Sequence, residues 1–189
     1  MKKIVVIGPE STGKSTLCEQ LAKQYNTLWC PEYAREYLVA NGMDYTYENL
    51  LTIAKGQLQL EDEYASSIVN RKSSIVNGED HNVPQTTNLL FIDTNMYVMK
   101  VWCEFVFGKC HQFIIDKIAE RKYDLYLLCN IDLPWVMDPL REYPDEGPRK
   151  ELYHIYKNIL VNQQTPWADI SGNSTERLQK AVNAIKEFC

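Results

Sequence analysis

A segment near the start of the chain has the residue types and the spacing that bind phosphate. Residues 8–15 read Gly-Pro-Glu-Ser-Thr-Gly-Lys-Ser, which matches the pattern G-x-x-x-x-G-K-[S/T] and stands between an apolar run and an amphipathic segment. The successive backbone N–H groups of such a loop, together with the N-terminus of the next helix, point at one position and favour an anion there. The segment therefore predicts a binding site for the phosphates of a nucleotide.

Two side chains of this segment have separate roles in the predicted site. Lys14 would reach the β- and γ-phosphates, and the Ser15 hydroxyl would be a ligand of Mg²⁺, a cation that prefers oxygen. A plain turn is the alternative interpretation, and the position of the pattern between a strand and a helix argues against it. ATP and Mg²⁺ are the expected cofactors. The predicted nucleotide-binding residues of the segment are Gly8, Glu10, Ser11, Thr12, Gly13, Lys14, Ser15 and Thr16.

Two carboxylates follow apolar runs and are candidates for metal binding and proton transfer. Asp93 directly follows the run 89–92, so it would lie at the carboxyl end of a buried strand and could hold Mg²⁺. Glu32 follows another run and could accept the proton of an attacking hydroxyl. The alternatives are an N-cap role for Asp93 and a surface ion pair between Glu32 and Arg35. We favour Glu32 as the general base and Asp93 as the metal ligand, with Asp93 as the competing base.

Two arginines belong to a connector, residues 139–148, that is rich in proline and glycine: Arg141 lies near its start and Arg149 directly follows it. Phosphoryl transfer concentrates negative charge on the γ-phosphate oxygens, and arginines on a closing segment can neutralise that charge while water is excluded. Arg141 and Arg149 are therefore candidate catalytic residues, and residues 138–150 are predicted to form a helical, mobile lid. The alternative is two solvated arginines in a surface loop.

Five short apolar runs alternate with amphipathic segments along the chain. This alternation is typical of a parallel sheet with helices on both faces, in which ligands bind outside the carboxyl ends of the strands. We therefore predict an α/β fold of the P-loop NTPase type, three-layered α/β/α, with a five-stranded, mainly parallel sheet. The predicted strands are 4–7, 27–30, 89–92, 125–129 and 167–170. The predicted helices are 15–25, 32–41, 47–68, 97–121 with a break near Gly108, 149–162, and 175–188 with Ser174 as N-cap.

Length and composition bound the class of protein. The chain has 189 residues, which favours one domain over residues 1–189 with a polar, exposed excursion at about 70–88. The net charge of −5 gives no basic field for nucleic acid, and the six cysteines and three histidines show no zinc pattern. Because the first apolar run is too short for a secretory signal and no run is long enough to span a membrane, we expect a cytoplasmic protein without nucleic-acid or membrane partners.

Taken together, four segments resemble the ribosylnicotinamide kinase module of the NadR-type family, which consists of P-loop kinases related to nucleoside and nucleotide kinases. The segments are 8–17, 32–37, 91–94 and 135–141, with Arg149 in addition. The resemblance spans nearly the whole chain. It implies transfer of the γ-phosphoryl group of ATP to the 5′-hydroxyl of nicotinamide riboside, which forms the mononucleotide in NAD salvage. Asn95 and Met137 stand where the family usually has acids.

The resemblance also indicates where the two substrates would bind. The residues expected to contact the nucleoside are Glu32, Tyr33, Arg35, Trp135 and Asp138. The turn after the last strand, with Gly172 and Asn173, would border the adenine of ATP. Two alternative functions are a kinase of another nucleoside and a regulatory P-loop ATPase module that acts through a partner, for which the excursion at 70–88 would be the docking surface.

Overall fold

The computed structural model describes residues 1–76 and 88–189, with the backbone alone for residues 71–76. Within these residues, five strands form one sheet in the order β2-β3-β1-β4-β5, and every neighbouring pair is parallel. The strands are β1 (Lys2–Ile7), β2 (Leu28–Cys30), β3 (Leu89–Asp93), β4 (Leu125–Cys129) and β5 (Trp167–Ile170). The five-stranded parallel sheet predicted from the apolar runs is therefore confirmed.

Helices cover both faces of the sheet. In the described chain they are α1 (Lys14–Gln24), α2 (Tyr33–Asn41), α3 (Tyr47–Val76), α4 (Met96–Phe107), α5 (Gln112–Glu120), α6 (Glu146–Val161) and α7 (Ser174–Phe188). Ile4 and Val6 of β1 pack in one core cluster with side chains of α1 and α7. Val5 and Ile7 pack in a second cluster with side chains of α4 and α6. Because a strand covered on both sides needs apolar residues throughout, this packing explains the continuous apolar run and confirms the three layers.

Helix α3 is longer than the sequence predicts. It runs past the expected end at residue 68 and continues to Val76, so the first part of the predicted excursion 70–88 is helical. A polar stretch does not by itself end a helix, because each added residue of a formed helix needs only its backbone hydrogen bond. The remainder of that prediction, residues 77–87, lies outside the described residues. Neither α3 nor any other helix in the described part of the chain is long and apolar enough to cross a membrane.

The predicted lid, residues 138–150, consists of two parts. Residues up to Asp145 form an irregular stretch after β4, and α6 begins at Glu146, three residues before the predicted start at Arg149. Pro148 therefore lies in the first turn of α6. A proline is tolerated there because the first N–H groups of a helix have no intrahelical partner to lose.

The ends of two further helices are set by specific residues. The predicted break near Gly108 is confirmed, since Gly108 ends α4 with φ of 67°. Ser174 was expected as the N-cap of α7, and this expectation is wrong by one residue: the cap is Asn173. The Asn173 side chain accepts hydrogen bonds from the N–H groups of Thr175 and Glu176, and the Glu176 carboxylate accepts one from the Asn173 N–H. This capping box stabilises the helix start better than a lone serine hydroxyl.

Candidate functional site

The loop between β1 and α1 has a backbone that requires glycine at two points. At Gly8, φ is 143° and a Cβ atom would lie only 2.7 Å from the carbonyl oxygen of Cys129 on β4. Gly13 precedes α1 with φ of 76°. Because Gly13 has no side chain and the first turn of α1 has no acidic residue, nothing in the sequence competes with an anion for the N–H groups of that turn. This backbone geometry suits a phosphate.

The side chains of the loop bring positive charge to the same place. The Thr12 hydroxyl is buried and donates to the Pro9 carbonyl at 2.7 Å. The Lys14 ammonium donates to the same carbonyl at 3.0 Å, so its charge lies over the loop. Every nucleotide-binding residue predicted in the segment 8–16 lines one cleft of about 500 Å³. The loop can therefore receive a phosphate chain along its full length.

Asp93 lies beside this loop because β3, which it ends, is the neighbour of β1. Its carboxylate is fully buried, and Oδ2 accepts a hydrogen bond of 2.5 Å from the Ser15 hydroxyl. Burial and the nearby charge of Glu32 raise the pKa of Asp93 above its usual range, while Lys14 acts in the opposite direction. A hydroxyl and a carboxylate that already touch form a donor set that fits Mg²⁺.

Asp93 is not the N-cap of the next helix, which was the alternative interpretation of this residue. The N-cap of α4 is Asn95, whose Oδ1 accepts a hydrogen bond from the Tyr97 N–H at 3.1 Å. The Asn95 amide also donates to the Tyr126 hydroxyl at 3.3 Å. Asn95 therefore anchors α4 against β4, and Asp93 is the carboxylate that β3 presents to the loop.

Glu32 lies in the same cleft, immediately before α2. The Thr94 hydroxyl donates to its Oε1 at 3.3 Å, which holds the Glu32 carboxylate beside Asp93. The alternative surface pair with Arg35 is not the arrangement found, because Arg35 makes its ion pair with Asp138 at 2.9 Å. The Glu32 carboxylate is therefore not used in an ion pair with Arg35 of α2.

The irregular stretch after β4 is fixed to the phosphate loop through Glu10. The Glu10 carboxylate accepts hydrogen bonds from the N–H groups of Glu142 at 2.9 Å and Tyr143 at 2.7 Å. It also accepts one from the indole N–H of Trp135 at 3.3 Å. A single loop side chain therefore fixes the stretch after β4 to the phosphate loop at two points, residue 135 and residues 142–143.

The two predicted lid arginines lie in different environments. Arg141 lines the cleft and donates to the Ser11 hydroxyl at 3.3 Å and to the Val136 carbonyl. Arg149 is buried in the first turn of α6, outside the cleft lining, and its Nη2 donates to the Leu133 carbonyl at 3.3 Å. The alternative interpretation, two solvated arginines in a surface loop, is therefore wrong, since neither side chain is fully exposed. Of the two, Arg141 alone lies at the phosphate loop.

The rest of the cleft lining is mostly apolar and aromatic. It includes Trp29, Met43, Val98, Trp102, Phe105 and Tyr156. Of the residues expected to contact a nucleoside, Glu32, Arg35 and Asp138 line the cleft, and Tyr33 and Trp135 do not. The Tyr33 ring instead packs on Gly56 of α3, so closely that a Cβ there would meet it at 2.1 Å. This part of the cleft can hold a planar ring against aromatic side chains.

The sequence profile of a protein family described as an AAA domain matches residues 3–177. The chain belongs to this family. Two curated relatives of this AAA-domain chain are the trifunctional NAD biosynthesis/regulator proteins NadR of Escherichia coli (strain K12) and Salmonella typhimurium (strain LT2), each 27% identical over 193 residues. The alignments cover all of this chain and 43% of each relative, so the chain spans less than half their length. The predicted resemblance to the NadR-type family is confirmed.

Solved structures similar to this AAA-domain chain include a NadR protein in complex with NR. That comparison gives a TM-score of 0.73 with 23% identity and covers 99% of this chain and 49% of the other. A thymidylate kinase from Ehrlichia chaffeensis gives 0.56 with 11% identity, covering 98% of both chains. A deoxyadenosine kinase from M. mycoides with bound dATP gives 0.52 with 11% identity, covering 98% of this chain and all of the other. The fold is therefore that of the P-loop kinases.

Gln57, which sequence reasoning missed, fixes the chain around Glu32. This fully buried side chain of α3 accepts a hydrogen bond from the Tyr33 N–H at 2.7 Å and donates to the Pro31 carbonyl at 3.2 Å. It also lies 3.5 Å from the Asp93 carbonyl. A signal was present: Gln57 occupies a position of the buried stripe of α3, where a polar residue needs internal partners.

Arg177 of the AAA-domain chain was also missed, and it links the loop after β5 to the phosphate loop. The buried guanidinium donates to the Thr12 carbonyl at 2.9 Å and to the Gly172 carbonyl at 2.7 Å, and it pairs with Asp132. Gly172 and Asn173, expected to border adenine, are thus tied to the phosphate loop but lie outside the cleft lining. Their contact with adenine stays a prediction.

Proposed function

We propose that this chain is an ATP-dependent kinase that transfers the γ-phosphoryl group of ATP to the 5′-hydroxyl of nicotinamide riboside. The observation that carries the proposal is the position of Glu32, which lines the same cleft as the phosphate loop and lies beside Asp93. A hydrolytic ATPase has no need of a second, aromatic compartment next to its phosphate site. A kinase requires one, because the acceptor must sit beside the γ-phosphate.

The nucleotide half of the reaction follows from the loop. Its N–H groups and Lys14 would bind the β- and γ-phosphates, and Ser15 and Asp93 would hold Mg²⁺. When bound, the cation neutralises charge on the phosphate oxygens. Arg141 is already anchored at Ser11 of the loop, where it would add positive charge as the γ-phosphoryl oxygens become more negative.

Glu32 would orient the acceptor hydroxyl and receive its proton. As the acceptor oxygen bonds to the γ-phosphorus, the bond to the β-phosphate oxygen breaks, ADP leaves, and the hydroxyl proton passes to the carboxylate. Asp93 is the weaker candidate for the base, because it is fully buried and its Oδ2 already bonds the Ser15 hydroxyl.

Nicotinamide riboside fits the chemistry of the remaining lining. Its nicotinamide ring is planar and positively charged, so it gains from aromatic faces and from carboxylates. Trp102 and Phe105 supply rings, and Glu142 supplies a carboxylate, whereas the carboxylate of Asp138 is already paired with Arg35. The similarity of the whole chain to a NadR protein solved in complex with NR, the usual abbreviation of nicotinamide riboside, supports the same choice.

A kinase of another nucleoside is the second candidate, supported by the similarity of fold to thymidylate and deoxyadenosine kinases. Thymidine and deoxyadenosine carry neutral bases, so they would gain less from the carboxylates of the cleft. No observation within residues 1–76 and 88–189 favours a regulatory ATPase module over a kinase.

A phosphoryl-transfer assay with a panel of acceptors tests the proposal. The purified chain is incubated with radiolabelled ATP and Mg²⁺ and with nicotinamide riboside, thymidine, deoxyadenosine or no acceptor, and the products are separated. We expect label in nicotinamide mononucleotide. Label transferred only to another nucleoside would support the second candidate, and release of phosphate without any acceptor product would contradict a kinase.

Matched lysine variants connect the activity to the loop. Lys14→Ala should abolish transfer without unfolding the protein, because Lys14 lies over the loop rather than in the core. Lys23→Ala, at an exposed position of the same helix, should retain it. Near wild-type activity in a folded Lys14→Ala protein would refute the assignment of the loop.

A further inference from the structure

Thr94 has a backbone conformation that costs free energy. Its φ is 76°, in the left-handed region, where a β-branched side chain crowds the backbone. The residue is almost fully buried, and its N–H donates to the Val6 carbonyl of β1 at 3.4 Å. Glycine would adopt this conformation at lower cost. Strain of this kind persists where the surrounding structure enforces it and collects at functional sites.

The Thr94 hydroxyl lies between the two carboxylates of the cleft. Its Oγ1 is 3.3 Å from Oε1 of Glu32 and 3.5 Å from Oδ1 of Asp93. A hydroxyl has one proton and donates to one carboxylate at a time, and Glu32 is the nearer. Asp93 already receives the Ser15 hydroxyl on its other oxygen. The distances therefore favour a bond from Thr94 to Glu32.

Glu32 needs such a donor because its side chain is flexible and lies next to a like charge. A glutamate in this position would swing away from the neighbouring carboxylate unless a hydrogen bond held it. The main chain around Glu32 is fixed separately, since Gln57 bonds the Tyr33 N–H and the Pro31 carbonyl. Helix α3 thus anchors the backbone of Glu32, and Thr94 anchors its carboxylate.

We propose that Thr94 is a positioning residue for the phosphoryl transfer: its hydroxyl fixes one carboxylate oxygen of Glu32 so that the other oxygen meets the acceptor hydroxyl. The inference rests on the proposed function, with Glu32 as the base. It also explains why the strained backbone is kept, because φ of 76° directs the Thr94 side chain at Glu32. Thr94 acts through Glu32 and does not itself touch the reacting atoms.

Three substitutions distinguish the effect of the Thr94 hydroxyl from the effect of the backbone strain. Thr94→Ala removes the hydroxyl and keeps a Cβ in the left-handed region, Thr94→Gly removes both, and Thr94→Ser keeps the hydroxyl. We expect kcat to fall by up to roughly 100-fold in the alanine and glycine variants, because the base is no longer held in place. The KM for ATP should stay unchanged, since Thr94 does not line the phosphate loop. Thr94→Ser should remain close to wild type in kcat.

Thermal unfolding without nucleotide tests the backbone strain, while the fall in kcat at an unchanged KM for ATP tests the positioning role. Thr94→Gly should unfold at a temperature roughly 2–4 °C above that of Thr94→Ala, because glycine relieves the strain. The matched control is Thr27→Ala, which removes a hydroxyl bond of 2.5 Å to the Leu89 carbonyl at the opposite end of the sheet. This control should lower Tm and leave kcat unchanged.

Several results would overturn the inference. Wild-type kcat in Thr94→Ala would do so, as would an equal loss of kcat in Thr94→Ser and Thr94→Ala. A Thr94→Gly protein no more stable than Thr94→Ala would remove the argument from strain. If the wild-type chain phosphorylates no nucleoside at all, the proposed function fails first and this inference fails with it, so the two failures are distinguishable.

Discussion

The Ser15 hydroxyl lies 2.5 Å from Oδ2 of Asp93, and this contact joins the start of α1 to the end of β3. The two residues are brought together by the order of the strands, since β3 is the neighbour of β1. The Asp93 carboxylate is fully buried and lies near the charge of Glu32, so the pKa of Asp93 is raised and its ionisation is less favourable than that of an exposed aspartate. The ionised form of this carboxylate therefore lowers the free energy of unfolding of the protein without bound ligands.

Asp93→Asn should stabilise the protein in the absence of Mg²⁺ and nucleotide. Burial, with the charge of Glu32, raises the pKa of Asp93 in the folded state above its unfolded value. Protonation of such an acid favours the folded state, so the free energy of unfolding falls as the pH rises through the raised pKa. We expect Asp93→Asn to have a higher Tm than wild type above neutral pH. The difference should shrink as the pH falls towards about 4, the ordinary range of aspartate.

Thermal unfolding across a pH series in the presence of EDTA measures this effect. The matched control is Asp124→Asn, because Asp124 lies at the other end of the sheet, where it pairs with Lys2 and accepts from the Lys3 N–H. That variant should be less stable than wild type at neutral pH. An Asp93→Asn protein that is less stable than wild type at every pH would contradict the prediction.

Glu32→Gln and Asp93→Asn should lose activity in different ways. Asp93→Asn weakens the recruitment of Mg²⁺, so raised Mg²⁺ should restore part of its kcat. Glu32→Gln removes the base, so its kcat should remain below that of wild type at all Mg²⁺ concentrations. The loss should be roughly 10²–10⁴-fold if proton transfer limits the step. Steady-state kinetics across an Mg²⁺ series decides between them. Rescue of Glu32→Gln but not of Asp93→Asn would invert the two roles.

Substitutions of the two predicted lid arginines should have different effects on Tm and kcat. Arg141→Ala should lower kcat by roughly 100-fold, more than it raises the KM for ATP, because its charge acts on the transition state. Arg149→Met should keep or raise Tm, since the buried Arg149 Nε has no hydrogen-bond partner among the described residues. If Arg149 reaches the phosphates when α6 moves, the same variant also loses kcat. A lower Tm with unchanged kcat would assign Arg149 to folding alone.

The parts of the site that the sequence predicted are those that a short stretch of chain defines. The phosphate loop is one continuous motif, and the carboxyl ends of parallel strands must share one edge of the sheet, which places Asp93 beside the loop. The apolar runs predicted the central strands β1, β3 and β4 equally well, because a strand covered on both faces is apolar at nearly every buried position.

The parts that the sequence did not predict depend on contacts between distant segments. Arg35 pairs with Asp138, and Arg177 bonds the Thr12 carbonyl, across separations that no local periodicity connects. The burial of Arg149 is of the same kind, since it depends on how α6 packs under the stretch after β4. The burial of Arg149 and Arg177 follows from tertiary packing, which overrides the usual exposure of charged side chains.

Gln57→Leu should lower both the stability and the turnover. Leucine fills the same space but leaves the Tyr33 N–H without its acceptor and the Pro31 carbonyl without its donor, and each such buried group costs about 1–3 kcal/mol. The segment that carries Glu32 would then lose its anchor on α3. We expect a Tm several degrees below wild type and a reduced kcat with an unchanged KM for ATP, because the phosphate loop is not in contact with Gln57.

The matched control is Gln59→Leu, at an exposed position of the same helix, where the side chain bonds Glu63. That variant should resemble wild type in Tm and kcat, since an exposed side-chain bond is replaced by water at little cost. Steady-state kinetics at a temperature where all three proteins are folded separates a misplaced base from simple unfolding. If Gln57→Leu loses stability but keeps its full kcat under those conditions, the position of Glu32 does not depend on α3.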